Sequence, residues 1–555
     1  MKKFILFVFT LVIGFVVFCG LYVKADPASL TMIDGAQIRT SGEFQGLRFA
    51  AEASSLEGVD EHGFYLAAGE HSLSDMRSAI ETNSATVGTN KLVKRSATGE
   101  DLEFAVTVYG MDEVSEYAQL ITAVAYLKTG DSFTFDKAVT RNIAEKARED
   151  YNSIADPATI ISTVAMATRV KVTHSDTSVD YYGDTNEVTL TAGDTFDLAR
   201  GEYTNSLTID KNDVTVNGVQ KNVSTGKSTS ARDFETTLTK TLTINDGVDG
   251  VNINGLKFTG TNVLNLNGSV SNLTFVNNMC NWSGNYAIKD TAADYSIVSH
   301  DTLTFSNNTF YGTNDSYQRA FYVQSNINGV EIINNLLKDK LTSINTSEYA
   351  IKFDRIGNGG SLLIKDNDFR YYGANYLIDL CYAHSESSNT VNVTIENNTM
   401  SSSSSTFLQG NGIRVYYLKT GSTVSILHNI RFATSAYYNA ILLTDGTAAN
   451  STGGQKPTIN IKFNKFYATN DVEEVAKPEK RNEVGSKYIR IGLGVDTDAA
   501  INLDSNYFAN STSRYAYTSP TSASASTNTN QIVLTTNKVD TNGDADTAYE
   551  AYLAG

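Results

Sequence analysis

Between Leu273 and Val539 the chain repeats one pattern nine times: apolar, any residue, apolar, two more residues, an Asn, a spacer and usually another apolar residue. The Asn column is Asn278, Asn308, Asn335, Asn367, Asn398, Asn429, Asn464, Asn506 and Asn537. Three residues before each stands Phe275, Phe305, Ile332, Ile364, Ile395, Ile426, Ile461, Leu503 or Leu534, and five before stands Leu273, Leu303, Val330, Leu362, Val393, Val424, Ile459, Ile501 or Ile532. Two residues after the Asn the position is apolar in Phe310, Leu337, Phe369, Met400, Phe466, Phe508 and Val539; Cys280 fits and only Arg431 does not. Alternation before each Asn predicts a strand with one buried face, and an Asn at its end suits a left-handed bend that other residues resist.

Successive Asn lie 27 to 42 residues apart, a spacing at which repeats build solenoids or propellers. Stacked coils bring identical residues about 4.8 Å apart, close enough for Asn side-chain amides to bond in a ladder. This favours a β-helix. The coil sentences "VTIENNTM" and "LTFSNNTF", with the entry segment "DTFDLARGEYTNSLTIDKNDVTVNG", resemble the right-handed parallel β-helix, pectin-lyase-like superfamily over about residues 186 to 540. The resemblance is specific for fold and implies no single activity. The expected architecture is mainly β: a right-handed parallel β-helix over 186–555 with an acidic C-terminal cap, preceded by a smaller α+β or β-sandwich domain.

Residues 26–175 follow another grammar. "GAQIRTSGEFQGLRFAAEA", "HGFYLAAG" and "LEFAVTVYG" read as strands, whereas "YAQLITAVAYLK" and "DKAVTRNIAEKAREDYN" carry helical spacing. The segments Gly35–Gly42 and Gln45–Phe49 and the region of Tyr126 resemble an N-terminal domain of secreted surface proteins of low-GC Gram-positive bacteria and their wall-less relatives. Arg39 and Arg48 fall on neighbouring strands, where they could hold an anion or pair with local carboxylates. Residues 176–185, "DTSVDYYGDT", read as a linker.

Lys2 and Lys3, an uncharged run from Phe4 to Val23, and "VKA" before Asp26 predict a secretory signal over residues 1–25; the run is also long enough to remain as an anchor. Cys19 follows the bulky Phe18, which argues against lipidation. Cleavage leaves Cys280 and Cys381, several coils apart and too distant for a disulfide. Removing residues 1–25, which hold Lys2, Lys3 and Lys24 and no acid, takes the formal charge of -17 to -20. Such a surface repels nucleic acid, and no membrane partner is expected after signal removal. With 40 Gly, 5 Pro and 1 Trp, the composition suits a turn-rich β chain.

A second set of strands, "AIK", "AFYV", "AIKF", "LIDL", "GIRV", "AILL" and "YIRI", places Ile288, Phe321, Ile351, Ile378, Ile413, Ile441 and Ile489 inward. Period two then turns Lys289, Tyr322, Lys352, Asp379, Arg414, Leu442 and Arg490 outward, with Asp354 and Tyr416 beside them. An exposed ladder of cations, carboxylates and Tyr could hold an anionic or neutral polysaccharide, since sugar rings stack on aromatics and carboxylates fit Arg forks. A solvated sheet face would show the same alternation.

Catalysis has weaker signals. Polygalacturonase-like relatives imply paired Asp with a Gly-His-Gly loop, which is absent. Pectate-lyase-like relatives imply a Ca2+ site beside an Arg or Lys base; the nearest set is Lys352, Asp354, Arg355, Asp366, Asp368, Asp379, Arg370 and Arg414. Asp366 and His428 share the column of Asn277, Asn307, Asn334 and Asn397 and read as turn residues. His300 and His384 read as loop residues. At the C-terminus Asp540, Asn542, Asp544 and Asp546 resemble a calcium loop, but Ala545 replaces its Gly and Glu550 falls one residue early. No cofactor is expected, with Ca2+ kept as the weaker alternative. The expected function is an exported or cell-surface protein binding polysaccharide or host surface glycan, the alternatives being a polysaccharide lyase or glycoside hydrolase and a structural spacer.

Overall fold

The computed structural model describes residues 28–220, 235–314, 318–338, 345–370, 374–381, 390–401, 411–416, 418–433, 441–444, 457–468, 489–492, 500–509, 532–535 and 538–540. Residues 1–25, His384, residues 445–456 and 469–488 and the calcium-loop-like end beyond Asp540 lie outside these. The chain divides into two units at Thr168/Arg169.

The first unit is α+β. One antiparallel sheet is built on Gly46–Ala53, which pairs with Leu30–Met32, Gln37–Arg39 and Glu103–Tyr109. A five-stranded sheet centres on Glu61–Ala68 and Ile121–Thr129. Helices Leu73–Glu81, Ile143–Ser153 and Thr159–Ala167 complete it. The segment expected as a helix, "ITAVAYLKT", is a strand, with Thr122 to Leu127 all buried between two sheet neighbours. A strand covered on both faces has no polar alternation to betray it. "DKAVTRNIAEKAREDYN" likewise splits into a strand end at Arg141 and a helix capped by Asn142, whose side chain accepts from Glu145 N.

The second unit is a parallel β-helix. Residues 176–185, expected as a linker, instead contribute the strand Val179–Tyr182, which pairs antiparallel with Val170–Thr173; the latter also pairs with Thr195–Leu198 of the first coil. Arg169 ties this hairpin down by donating to Gly183 O at 2.8 Å and Glu202 O at 2.9 Å. Each later coil has three faces. In one, Tyr286–Thr291 lies on the first face, Ser299–Ser306 on the second and Thr309–Gly312 on the third. Every strand pairs in parallel with its counterpart one coil on. On the second face the apolar columns align one above another, Leu303 with Val330, Leu362 and Val393, and Phe305 with Ile332, Ile364 and Ile395. These side chains are buried in one continuous core.

The corner between the second and third faces carries the Asn ladder. Each Asn donates its backbone N–H to the Oδ1 of the Asn one coil on, at 2.8–3.1 Å from Asn278 through Asn464 to Asn506. Its Nδ2 donates to that same oxygen in Asn308, Asn335, Asn367, Asn398, Asn429 and Asn464. The Nδ2 also donates to a core carbonyl of the preceding coil, as Asn367 does to Ile332 O at 2.7 Å. The left-handed bend, however, falls one residue earlier, at Asn277, Asn307, Asn334, Asp366, Asn397, His428, Phe463 and Ser505, with φ of 53–58°. The ladder Asn must keep its amide inside the corner, so its predecessor absorbs the turn. His428 and Phe463 stack there at 4.9 Å.

Candidate functional site

The first face holds the predicted column in register. Lys289 pairs with Tyr322, Tyr322 with Lys352, Lys352 with Asp379, Asp379 with Arg414, Arg414 with Leu442 and Leu442 with Arg490. The side chains of Leu442 and Arg490 lie outside the described residues.

Exposure is where the expectation fails. Lys352 is 9% exposed, Asp354 4%, Asp379 0% and Arg414 6%; only Lys289, Tyr322 and Tyr416 are half-buried. The cause is a second column, three residues before the first, that the period-two reading missed. It contains Tyr286, Arg319, Tyr349 and Tyr376, with Tyr286 opposite Arg319 and Tyr349 opposite Tyr376. Two consecutive buried residues separate the columns, as Ala350 and Ile351 do between Tyr349 and Lys352. The tyrosines therefore lean over the charges instead of alternating with them. The signal was present in the sequence as "YAIK", "RAFY", "YAIK" and "YLID".

Rings and cations interleave along the face. Tyr286 stacks on Tyr322 at 5.0 Å and Tyr349 on Tyr376 at 6.2 Å. The Arg319 guanidinium lies 5.4, 5.0 and 5.2 Å from the ring centres of Tyr286, Tyr322 and Tyr349. Lys352 Nζ lies 5.6 and 5.0 Å from Tyr322 and Tyr349. Arg414 lies 3.6 Å from Tyr376 and 4.4 Å from Tyr416. These are cation–π distances.

Beneath the rings the charges pair. Arg414 grips Asp379 with both arms, Nε to Oδ1 at 2.5 Å and Nη2 to Oδ2 at 2.7 Å. Lys352 Nζ stands 3.4 Å from Asp354 Oδ1 and 4.0 Å from Asp379 Oδ2. The first of these is an ion pair without hydrogen-bond geometry, so Asp354 Oδ1 stays buried with no hydrogen bond. Burial pushes the Asp354 carboxyl above the usual range, against the pull of Lys352. Burial likewise raises the phenols of Tyr322, Tyr349 and Tyr376, so all three remain neutral donors.

The set expected for a lyase-type calcium site is divided. Lys352, Asp354, Asp379 and Arg414 share the first face, whereas Asp366 sits in the Asn corner and Asp368 pairs with Arg370 on the third face. Arg355 donates to Gln324 O at 2.6 Å. No group of three or more His, Cys, Asp or Glu side chains suited to a metal occurs among the described residues. His300 is in a strand and fully buried, not in a loop; its Nε2 is 3.8 Å from Asp290 Oδ2. Asp290 in turn accepts from the backbone of Gln324 and Ser325 at 3.0 and 2.8 Å. Cys280 and Cys381 are buried and not joined in a disulfide. Arg39 and Arg48 are exposed on adjacent strands, and Arg39 Nε donates to Ser41 O.

No helix among the described residues is long and apolar enough to cross a membrane. No family model matches the chain, and no curated protein matches it. Among solved structures it is similar to the family 28 exopolygalacturonase of Yersinia enterocolitica, at 8% identity over 92% of this chain and 99% of that one, with a TM-score of 0.18. An overlay this loose carries no argument about fold or activity; the β-helix assignment rests on the coil pairing itself.

Proposed function

We propose that this is an exported or cell-surface protein that binds polysaccharide or a surface glycan along the first face of its β-helix. The observation that supports this reading is the row of Tyr286, Tyr322, Tyr349, Tyr376 and Tyr416. Its rings recur coil by coil along the helix axis, as repeated sugar rings would require. Tyr286, Tyr322, Tyr349 and Tyr416 are half-buried, with Tyr376 buried among them, and half-buried tyrosines present a flat apolar face and a neutral hydroxyl at low entropic cost. Export rests on the signal-like residues 1–25 and on the resemblance of residues 26–175 to surface-protein domains. The lyase or hydrolase alternative rests on Asp354, whose carboxyl is held above its ordinary range beside Lys352 and so could donate a proton. A glycan array on the full chain tests the main reading, with each hit then assayed for new reducing ends and unsaturated product. Binding without turnover supports it; binding with turnover favours the enzyme; no binding to any glycan removes it.

A further inference from the structure

On the reading that the tyrosine row is the glycan-binding face, we infer that its ligand is a neutral, hydroxyl-rich glycan and that acidic sugars are excluded. An acidic sugar needs a guanidinium or ammonium with donors turned toward it. Between Tyr322 and Tyr416 the cations on the column, Lys352 and Arg414, are buried at 9% and 6% exposure and turned to carboxylates and rings. Both arms of Arg414 are committed to Asp379, and its flat faces are covered by Tyr376 and Tyr416. Lys352 stands between Asp354 and Asp379, with Tyr322 and Tyr349 over it. Arg319 lies against three tyrosine rings, and its Nη1 donates to the Tyr286 hydroxyl at 3.4 Å. On the stretch from Tyr322 to Tyr416 the half-buried groups of the two columns and Tyr416 are the phenols of Tyr322, Tyr349 and Tyr416, groups that stack on sugar and bond its hydroxyls.

The remaining charge points the same way. Asp354 faces Lys352 at 3.4 Å and carries an oxygen without a hydrogen bond, so its charge is incompletely compensated at that point beneath the rings. A carboxylated sugar would meet that potential in addition to the chain's net charge of -17. Lys352, Asp379 and Arg355 face Asp354, and Tyr322 and Cys381 also feel its charge. Because burial raises this carboxyl, it is neutralised at higher pH than an ordinary Asp, and the discrimination should weaken as pH falls.

The test is calorimetric titration of the full-length protein with neutral gluco-, galacto- and manno-oligosaccharides and their C6-oxidised, carboxyl-bearing counterparts. The expected result is that at least one neutral sugar binds about tenfold or more tightly than its oxidised form, with an affinity nearly independent of salt. Asp354→Asn should narrow the gap by admitting the oxidised form, while melting no lower than wild type at neutral pH. Equal or tighter binding of an oxidised sugar, falling with salt, overturns the inference but leaves the glycan reading standing if Tyr322→Phe and Tyr349→Ala alter it. Binding of no member of either series overturns both.

Discussion

Two polar stacks run the length of the same β-helix and solve burial in opposite ways. In the Asn corner every coil contributes the same residue, and each amide donates onward and back into the core. On the first face each coil contributes a different residue, and neutrality is reached only by local pairs such as Asp379 with Arg414. Uniformity is what a structural column needs, because one geometry repeats. Variation, with rings left half in water, is what a surface that reads a ligand needs. Burial alone does not separate the two, since Asn367 and Asp379 are both inaccessible.

The largest effect expected from breaking this contrast is at Arg414. Arg414→Ala leaves Asp379 buried with only Lys352 Nζ at 4.0 Å in place of its bidentate partner, and denaturant unfolding should show a loss of about 3 kcal/mol. Replacing both partners together, as Arg414→Met with Asp379→Leu, should recover most of it. Asn367→Ala comes next, at about 2–3 kcal/mol, because it strands the donors of Asn335 and removes two of its own. Here an apolar replacement in the adjacent coil, Asn398→Leu, should deepen the loss instead of rescuing it. If both double variants behave alike, the two stacks do not differ in kind.

A smaller and more selective effect is expected on the rings. Tyr322→Ala with Tyr349→Ala should weaken glycan binding about tenfold or more, about 1.4 kcal/mol, whereas the ladder variants should not change affinity at a temperature where they remain folded. The smallest effect is the pH response of Asp354. Its folded carboxyl titrates above the unfolded one, so its contribution is fully present below about pH 4 and is lost as pH rises through the folded value. Asp354→Asn should therefore melt no lower than wild type at neutral pH and lose that advantage in acid. A variant that melts lower at neutral pH would show that the Lys352 pair outweighs the burial cost.

The ladder was legible in the chain because one residue type marks the same corner in nine coils, and the apolar columns followed from spacing alone. The order of the first-face column was legible for the same reason. Its burial was not: alternation assigns Lys352 to water, but the two buried residues Ala350 and Ile351 shift Tyr349 over it. His300 escaped for a related reason. Its strand opens with polar residues and bends at Thr302, φ 53°, so it resembles a loop in sequence. In the first unit Ile121–Thr129 shows the limit of periodicity when both sides of a strand are covered.

The Asn ladder also has a direction. From Leu256, whose N–H meets Asn278 Oδ1, to Asn464, whose N–H meets Asn506 Oδ1, each Asn Oδ1 accepts its bond from the coil before it. All the side-chain carbonyls therefore point toward the first coils, and their dipoles add along the axis instead of cancelling. Each bond polarises the next, so a coil inserted with its Asn replaced would interrupt a field as well as a contact. The helix consequently has two electrically unlike ends, and a growing chain has a preferred sense in which each new coil finds its donors already aimed.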